Sequence, residues 1–252
     1  MNTPTERFSN RVENYIRYRP HYPPALLTFL EHTCGLMPAS IIADIGSGTG
    51  ILSEMFLRNG NSVYAVEPNR EMREAGERLL GQYPDFRSIA GTAEASGLES
   101  CSIDIVTAGQ AFHWFDPDHA KAEFIRILKA SGWVVLIWNE RRENSSPFAV
   151  AYEQLLQTYG TDYHEVKHQR IDAPLLGRFF DKGYQHSSFE NSQHFDFEAL
   201  RGRLLSSSYA PEAGQPGHEP MLTELSIIFD TYECDGQVIF EYDTNVYCGQ
   251  LG

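Results

Sequence analysis

Hydrophobic and polar positions alternate in a regular rhythm through the first 140 residues of this 252-residue chain. Short apolar runs predict buried strands over residues 41–45, 62–66, 86–90, 103–108 and 133–138. Segments with apolar residues at helical spacing predict helices over 23–32, 50–59, 71–80 and 119–128. Strands that alternate with helices form parallel crossover units, so the pattern predicts an α/β fold with helices on both faces of a sheet.

The rhythm loosens after Asn139. Patterns there predict helices over 147–160, 172–181, 197–206 and 221–230, strands over 185–194 and 237–247, and a Pro- and Gly-rich loop over 211–220. We expect the two late strands to return to the first sheet, one of them antiparallel, with the helices forming a cap before them. The prediction is a seven-stranded, mostly parallel sheet with an N-terminal lid or arm (1–35), a ligand-binding core (36–140), and a cap with closing strands (141–252).

The net charge of −14 changes the set of plausible partners. A strongly acidic surface repels phosphate backbones, which argues against a nucleic-acid partner and leaves small molecules. The arm is a local exception, since it holds Arg7, Arg11, Arg17, Arg19 and His21 against Glu13 alone. Either these basic residues meet an anion or they pair with the acidic body of the protein.

Other simple features indicate a cytoplasmic protein without a metal. The longest apolar run, Trp133 to Trp138, is far shorter than the roughly 20 residues that cross a bilayer, and the N-terminus is polar. The four cysteines form no metal-binding spacing, and we expect them to be reduced and mostly buried. Monomer and homodimer both stay open.

The strongest motif is Asp44-x-Gly46-x-Gly48-x-Gly50, which ends a predicted strand and opens a helix. Glycines in such a bend allow positive φ and a close approach to a ligand. The nicotinamide pattern requires Gly or Ala at its sixth position, where this chain has Ile51 or Ser53, and the phosphate-binding pattern requires a Lys that is absent.

This motif resembles that of the class I S-adenosylmethionine-dependent methyltransferases, which have a Rossmann-like fold. The resemblance implies that the bend faces the methionine and ribose parts of S-adenosyl-L-methionine (SAM), with Ser47 among the contacts. Asp44 then lies near the amino acid part.

Two further stretches support the resemblance. Glu67-Pro68, with Met72 four residues later, ends the second strand and resembles the family stretch in which the acid binds the ribose and the Met lies against adenine. The alternative, that Met72 is only a helix residue packed in the core, stays open. Thr92, Ala93 and Glu94 follow the third strand and resemble the family's adenine-binding turn. The alternative for Glu94 is that it begins a helix and does not bind adenine.

The fourth stretch follows the fourth strand and contains Gln110, Ala111, Phe112, His113, Trp114 and Phe115. It is similar to a run in methyltransferases of type 11 and the trans-aconitate methyltransferase-like subgroup. The N-terminal Tyr15-x-x-Tyr18-Arg19-Pro20-x-Tyr22-Pro23 resembles that subgroup's arm. The resemblance covers roughly residues 8 to 140, with weaker echoes at 206–210 and 240–247.

These resemblances imply roles for the remaining candidates. Tyr15, Tyr18, Arg19, Gln110, Ala111 and Phe112 are expected to bind the cofactor, with Arg19 on a carboxylate of either cofactor or substrate. Tyr22, Trp114, Trp138 and Arg141 are expected to contact the acceptor, although Trp138 also suits the core. His113 is the candidate general base, and the alternative is that it only orients its loop.

The predicted function is SAM-dependent methyl transfer to a small molecule, at a carboxylate or a hydroxyl. The alternative of a different class is a SAM-binding protein without turnover. A nicotinamide oxidoreductase is disfavoured by Ile51.

Overall fold

A computed structural model describes residues 12–163 and 172–252 of the chain. Its seven strands form a single sheet. They are β1 (Ile41–Ile45), β2 (Ser62–Val66), β3 (Phe86–Ile89), β4 (Ile103–Gly109), β5 (Leu128–Arg141), β6 (Gln185–Phe195) and β7 (Val238–Gly249).

The α-helices of the described residues alternate with the first five strands and then cluster before and between the last two. They are α1 (Val12–Tyr18), α2 (Ala25–Cys34), α3 (Ile51–Arg58), α4 (Arg70–Leu80), α5 (Pro117–Ile127), α6 (Pro147–Tyr159), α7 (Ala173–Phe179), α8 (Phe197–Leu205) and α9 (His218–Tyr232). A short 3₁₀ turn, Phe112–Trp114, follows β4.

The strand order is β3-β2-β1-β4-β5-β7-β6, with β1 to β5 parallel and β7 antiparallel to both of its neighbours. The prediction of a seven-stranded, mostly parallel sheet with one antiparallel late strand is therefore confirmed. The chain order reverses direction between β1 and β4, which lie side by side. Ligands of open α/β sheets bind at such a switch point, outside the carboxyl ends of the strands.

Each face of the sheet has its own apolar layer, because neighbouring residues of a strand point to opposite sides. Ile42 of β1 packs in a layer with Leu26 of α2 and Phe56 of α3. Ala43 packs in the opposite layer, with Phe124 of α5. Both faces of the parallel strands are thus covered, which explains their continuous apolar runs.

A third apolar cluster joins the cap to the far ends of the late strands. It contains Tyr152 of α6, Leu200 of α8, Leu225 of α9 and Phe240 of β7. Helix α1 packs against α8, where the Tyr18 ring lies so close to Gly202 that a side chain there would collide with it. The arm and the cap are therefore in contact with each other above the sheet.

Some elements differ from the sequence prediction. Helix α1 was not predicted; it is only seven residues long, and it packs on α8 of the cap and, through Val12, Tyr15 and Ile16, on α4. Helix α9 begins at His218, inside the predicted loop, and Pro220 is tolerated because the N–H groups of a first helical turn have no intrahelical partner. Strand β5 begins at Leu128 and has an irregular register before Trp133.

The cysteine prediction needs a correction. All four cysteines are free, but only Cys34 and Cys248 are buried, whereas Cys101 and Cys234 are exposed in loops outside the sheet. Arg7 and Arg11 of the basic arm lie outside the described residues. Within those residues, no helix is long and apolar enough to cross a membrane.

Candidate functional site

The glycine-rich bend leaves β1 at the carboxyl edge of the sheet. Gly46 and Gly48 have φ values of +69° and +58°, in the left-handed region that side chains rarely adopt. A Cβ on Gly46 would lie 2.7 Å from the Cβ of Ala111, in the loop after β4. The bend therefore requires glycine for both conformation and space, and it brings the ends of β1 and β4 together.

Glu67 places a carboxylate beside this bend, at the end of β2. Its Oε2 accepts the Gly48 N–H at 2.8 Å and its Oε1 accepts the Asn69 N–H at 2.8 Å. Burial raises the pKa of Glu67, and the two backbone donors oppose that change. An ionised carboxylate only accepts hydrogen bonds, so Glu67 suits a ligand with hydroxyl donors.

A cavity of about 190 Å³ opens beside Glu67, and we call it the β2 cavity. Twelve of its lining residues were predicted from the sequence as site residues: Tyr15, Gly46, Gly48, Glu67, Pro68, Met72, Thr92, Ala93, Glu94, Gln110, Ala111 and Trp114. Asn69, Gly109 and Phe115 complete the lining. Most of this surface is apolar or aromatic, with one carboxylate at one side.

A second cavity, of about 230 Å³, lies beneath the N-terminal arm, and we call it the arm cavity. Its lining includes nine predicted site residues: Tyr15, Arg19, Tyr22, Asp44, Gly46, Ser47, Gln110, His113 and Trp114. The two cavities share Tyr15, Gly46, Gly109, Gln110 and Trp114, so they are neighbouring compartments of one site.

Asp44 is the carboxylate of the arm cavity. It is 1% exposed, and it accepts hydrogen bonds from Ser53 Oγ at 2.6 Å and Thr107 Oγ1 at 3.1 Å. Burial raises the pKa of Asp44 to about 6, against the effect of these two hydroxyl groups. Asp44 is therefore a charged group held at high cost, which a cationic ligand would stabilise.

The loop after β4 turns sharply into the site. Gln110 has a φ of +58°, and its backbone N–H donates to the carbonyl of Ile137 on β5 at 2.8 Å. The following turn places His113 against Trp114, with ring centroids 4.6 Å apart. Burial lowers the pKa of His113 to about 4. His113 is thus a neutral imidazole at physiological pH.

Arg19 and Arg203 face the arm cavity, and among residues 12–163 and 172–252 neither has an acidic partner. Arg19 donates to the carbonyl of Ser206 at 2.9 Å and lies 4.8 Å from the ring centre of Tyr15. Arg203, on α8, donates to Ser207 Oγ at 3.2 Å. The Nε of each has no hydrogen-bond partner. Burial lowers the pKa of Arg19, and the charge of Arg203 adds to this effect.

Five predicted site residues do not line either cavity in the structure. Gly50 begins α3 with a φ of +88°, and Tyr18 packs on Gly202. Phe112 is 1% exposed and packs against Phe179, with ring centroids 4.6 Å apart.

The other two, predicted as acceptor-binding residues, lie further along β5. Trp138 packs edge to face with Tyr247, 6.2 Å away, in the apolar layer under α5. Arg141 forms an ion pair with Glu153 of α6 at 2.6 Å and lies over the ring of Tyr152. Neither residue lines a cavity: Trp138 has a packing partner and Arg141 an ion-pair partner.

The sequence analysis missed three lining residues from the cap: Arg203, Ser208 and Tyr209. They lie about 60 residues beyond the core, and only the fold of the cap brings them under the arm. A signal was present, since the resemblance has an echo at 206–210. In the described parts of the chain, no group of three His, Cys, Asp or Glu residues could hold a metal.

Comparisons with known proteins agree with this geometry. Residues 43–136 match the methyltransferase domain family. An uncharacterized methyltransferase of Schizosaccharomyces pombe is 34% identical over 151 residues, which cover 60% of this chain and 59% of that protein. The matched region thus spans about three fifths of the length of that relative.

Solved structures share the fold. A protein of Anaeromyxobacter dehalogenans, provisionally assigned as a type II methyltransferase, aligns with a TM-score of 0.66 at 20% identity, covering 92% of this chain and 98% of its own. Geranyl diphosphate methyltransferase in complex with SAM aligns with a TM-score of 0.51 at 15% identity, covering 90% of this chain and 85% of its own.

The sheet order, the glycine bend and the acid on β2 together define the class I methyltransferase fold. Within that class, the match to the methyltransferase domain family covers residues 43–136 of this chain, from β1 into β5.

Proposed function

We propose that this protein uses SAM to methylate a small-molecule acceptor. The observation that carries the proposal is the pair of joined cavities at the switch point of the sheet, one beside Glu67 and one beneath the arm. A class I methyltransferase needs such a pair, because the cofactor must meet a second substrate at its methyl group. The family match supports the same conclusion.

The β2 cavity suits the adenosine part of SAM. Glu67 offers carboxylate oxygens to the two ribose hydroxyls, as expected from its position at the end of β2. Met72 and Ala93 are 4% and 3% exposed, and they provide apolar surface for a flat base. We assign the adenosine-binding role to Glu67, Pro68, Met72, Thr92, Ala93, Glu94 and Ala111.

The arm cavity suits the methionine part. The ammonium group of the methionine part would neutralise the buried Asp44, and the carboxylate of the methionine part would neutralise Arg19. Gly46, Ser47 and Gln110 contribute backbone and polar contacts between them. The two charged ends of the amino acid thus match two charges that are otherwise costly to bury.

SAM, when bound, supplies a methyl group on a positively charged sulfur. The acceptor atom would take this methyl group with its own lone pair, and the electrons of the carbon–sulfur bond would stay on sulfur. The residues of this chain align the two substrates and exclude water, which can be worth effective molarities on the order of 10⁵ M. The aromatic faces of Tyr15 and Trp114 favour the positive sulfur.

The low pKa of His113 bears on the acceptor. An imidazole whose conjugate acid has a pKa of about 4 is a weak base at neutral pH. A carboxylate acceptor needs no base, because it is already ionised and gives a neutral ester. We therefore favour a carboxylate over a hydroxyl, with His113 acting as a neutral hydrogen-bonding group in the acceptor region beside Tyr22 and Trp114.

The acidic charge of −14 supports a small molecule over a nucleic acid as acceptor. We place the reaction in the cytoplasm on the composition of the chain alone.

Calorimetry tests the cofactor assignment. The full chain is titrated with SAM, with its product S-adenosylhomocysteine (SAH), and with NAD. We expect SAM and SAH to bind and NAD not to bind. Glu67→Gln should weaken SAH binding by about tenfold or more, since it removes a charged hydrogen-bond acceptor. Glu99→Gln, the same change at an exposed acid in a surface loop, serves as the matched control.

Transfer of labelled methyl from SAM into a metabolite extract then tests turnover and identifies the acceptor. Label in a small molecule supports the proposal. SAH binding without label transfer favours the alternative of a SAM-binding protein without turnover. Absence of SAM and SAH binding would overturn the proposed function.

A further inference from the structure

Strand β6 holds the N-terminal arm by two side-chain amides. The Nδ2 of Asn191 donates to the carbonyl oxygen of His21 at 2.7 Å, and the Nε2 of Gln193 donates to the carbonyl oxygen of Tyr18 at 3.3 Å. Asn191 and Gln193 are two residues apart, so both side chains leave the same face of the strand. The edge strand opposite β3 therefore binds the backbone of the arm directly.

The two anchored carbonyl groups lie on either side of Arg19 and Pro20. Pro20 is buried and its ring fixes φ, so this short segment has little backbone freedom once both of its ends are held. Arg19 lines the arm cavity, where it donates to the carbonyl oxygen of Ser206 at 2.9 Å. The two hydrogen bonds from β6 thus limit where the guanidinium group of Arg19 can lie.

Each amide is itself held in the orientation that donates to the arm. The Tyr242 hydroxyl donates to Oε1 of Gln193 at 2.9 Å, which turns the Nε2 of Gln193 toward Tyr18. The Nδ2 of Asn191 also donates to Oδ1 of Asn139, at 3.2 Å. A carbonyl oxygen only accepts hydrogen bonds, so the amino group of each amide is the part that binds the arm.

Arg19 needs such support because its surroundings disfavour its charge. Burial lowers the pKa of Arg19, and the like charge of Arg203 adds to this effect. An unrestrained arm would relieve this cost by turning the guanidinium group of Arg19 toward water. The hydrogen bonds from β6 oppose that movement and keep the group preorganised for an anion.

Resting on the proposed function, we propose that Asn191 and Gln193 are positioning residues of the cofactor site. They hold the arm backbone on both sides of Arg19, and Arg19 then binds the carboxylate of the methionine part of SAM. Asn191 and Gln193 line neither the β2 cavity nor the arm cavity. Their effect on the cofactor therefore passes through the arm.

The test compares two ligands by calorimetry on the full chain. One is SAH, and the other is 5′-methylthioadenosine, which has the same adenosine and sulfur but no amino acid part. Asn191→Ala and Gln193→Ala should each weaken SAH binding by about threefold to tenfold, as expected for the loss of one hydrogen bond. Both variants should keep the affinity for 5′-methylthioadenosine within about twofold, because that ligand has no carboxylate for Arg19.

A combined variant shows whether the effect passes through Arg19. Arg19→Gln should by itself weaken SAH binding by about tenfold or more. In the Arg19→Gln background, Asn191→Ala should change SAH affinity by no more than about twofold, because the group that it positions has gone. The matched control is Gln185→Ala, which removes an exposed amide from the start of the same strand and should leave both affinities unchanged.

Thermal unfolding checks that each variant is folded before it is titrated. If an alanine variant fails to fold, Asn191→Asp and Gln193→Glu take its place, because they keep the size of the side chain and lose the N–H donor. They should show the same selective loss of SAH binding. If 5′-methylthioadenosine does not bind the unmodified protein, the comparison in the Arg19→Gln background decides alone.

Three results would overturn the inference while the proposed function stands. The first is an unchanged SAH affinity in either β6 variant. The second is an equal loss of SAH and 5′-methylthioadenosine binding, which would indicate a purely structural role. The third is a loss of SAH affinity that persists in full in the Arg19→Gln background. Failure of the unmodified protein to bind SAH would instead overturn the proposed function itself.

Discussion

The raised pKa of Asp44 predicts how cofactor binding depends on pH. In the free protein this carboxyl group has a pKa of about 6, because it is buried among neutral hydroxyl groups. In the proposed complex it is paired with the ammonium group of the ligand, which stabilises its ionised form and lowers its pKa. Binding at a pH below 6 must therefore remove a proton from Asp44.

The expected size of this effect follows from the pKa. Each pH unit below a pKa costs about 1.4 kcal/mol to ionise the group, which is about tenfold in affinity. With a pKa of about 6, the dissociation constant of SAH should be nearly flat above pH 7 and should rise by about tenfold between pH 7 and pH 5. Glu67, whose pKa burial also raises, adds to the loss at the acidic end of this range.

Calorimetry with SAH between pH 5 and pH 8, repeated in buffers of different ionisation enthalpy, measures both the affinity and the proton released. Asp44→Asn is the matched variant, because an amide has the same shape and does not titrate. Its SAH affinity should be weaker at pH 7 and should depend less on pH. A flat profile in the unmodified protein, or an unchanged slope in Asp44→Asn, would refute the proposed pairing.

Stability gives an independent check on the same pKa. A carboxyl group whose pKa is raised from 3.8 to about 6 by folding stabilises the protein below its unfolded pKa, and this contribution is lost as pH rises through 6. Above pH 7 the ionised Asp44 thus costs up to about 3 kcal/mol. Asp44→Asn should raise the thermal midpoint at pH 7.5 and not at pH 4, as measured by calorimetric unfolding.

Three other predictions concern the walls of the site. His113→Ala should lower turnover by about tenfold or more and leave SAH affinity nearly unchanged, because His113 lies in the acceptor region; steady-state kinetics with normal kcat would remove it from the reaction. Gly46→Ala should destabilise the fold by about 1–2 kcal/mol in denaturant unfolding, from its positive φ and the close contact with Ala111; unchanged stability would contradict the bend geometry. Trypsin cleavage after Arg17 should slow when SAH is bound, and Gly202→Ala, which displaces Tyr18 from α8, should speed it; rates indifferent to SAH would show that the arm is not a lid.

Much of the core could be predicted from the sequence because its signals are local. The bounds of β1 and β2 in the structure are those predicted. A short apolar run bounded by turn residues is typical of a buried strand in an α/β protein. Gly46 and Glu67 could be assigned for a similar reason, because each follows a strand directly and all parallel strands end at one edge.

The cap side of the site could not be predicted in the same way. Helix α1 is too short for a clear pattern, and its partners are distant in sequence: Tyr18 meets Gly202 of α8, and Val12 packs on α4. Trp138 ends the predicted fifth strand and Arg141 comes shortly after it, much as Glu67 follows the second, but in the structure both lie within β5. The structure nevertheless gives them partners from β7 and α6, on segments whose position depends on the whole cap.

The amino-acid sequence alone therefore determined the strands and helices of the core, the glycine bend and the acid beside it, since each depends on neighbours a few residues away. Only the tertiary structure decided which residues of the arm and the cap face the site, above all the meeting of Arg19 with Arg203. Arg19 and Arg203 come together only because the arm and the cap both pack at the edge of the sheet. The burial of their side chains and the lack of an acidic partner among the described residues follow from that packing.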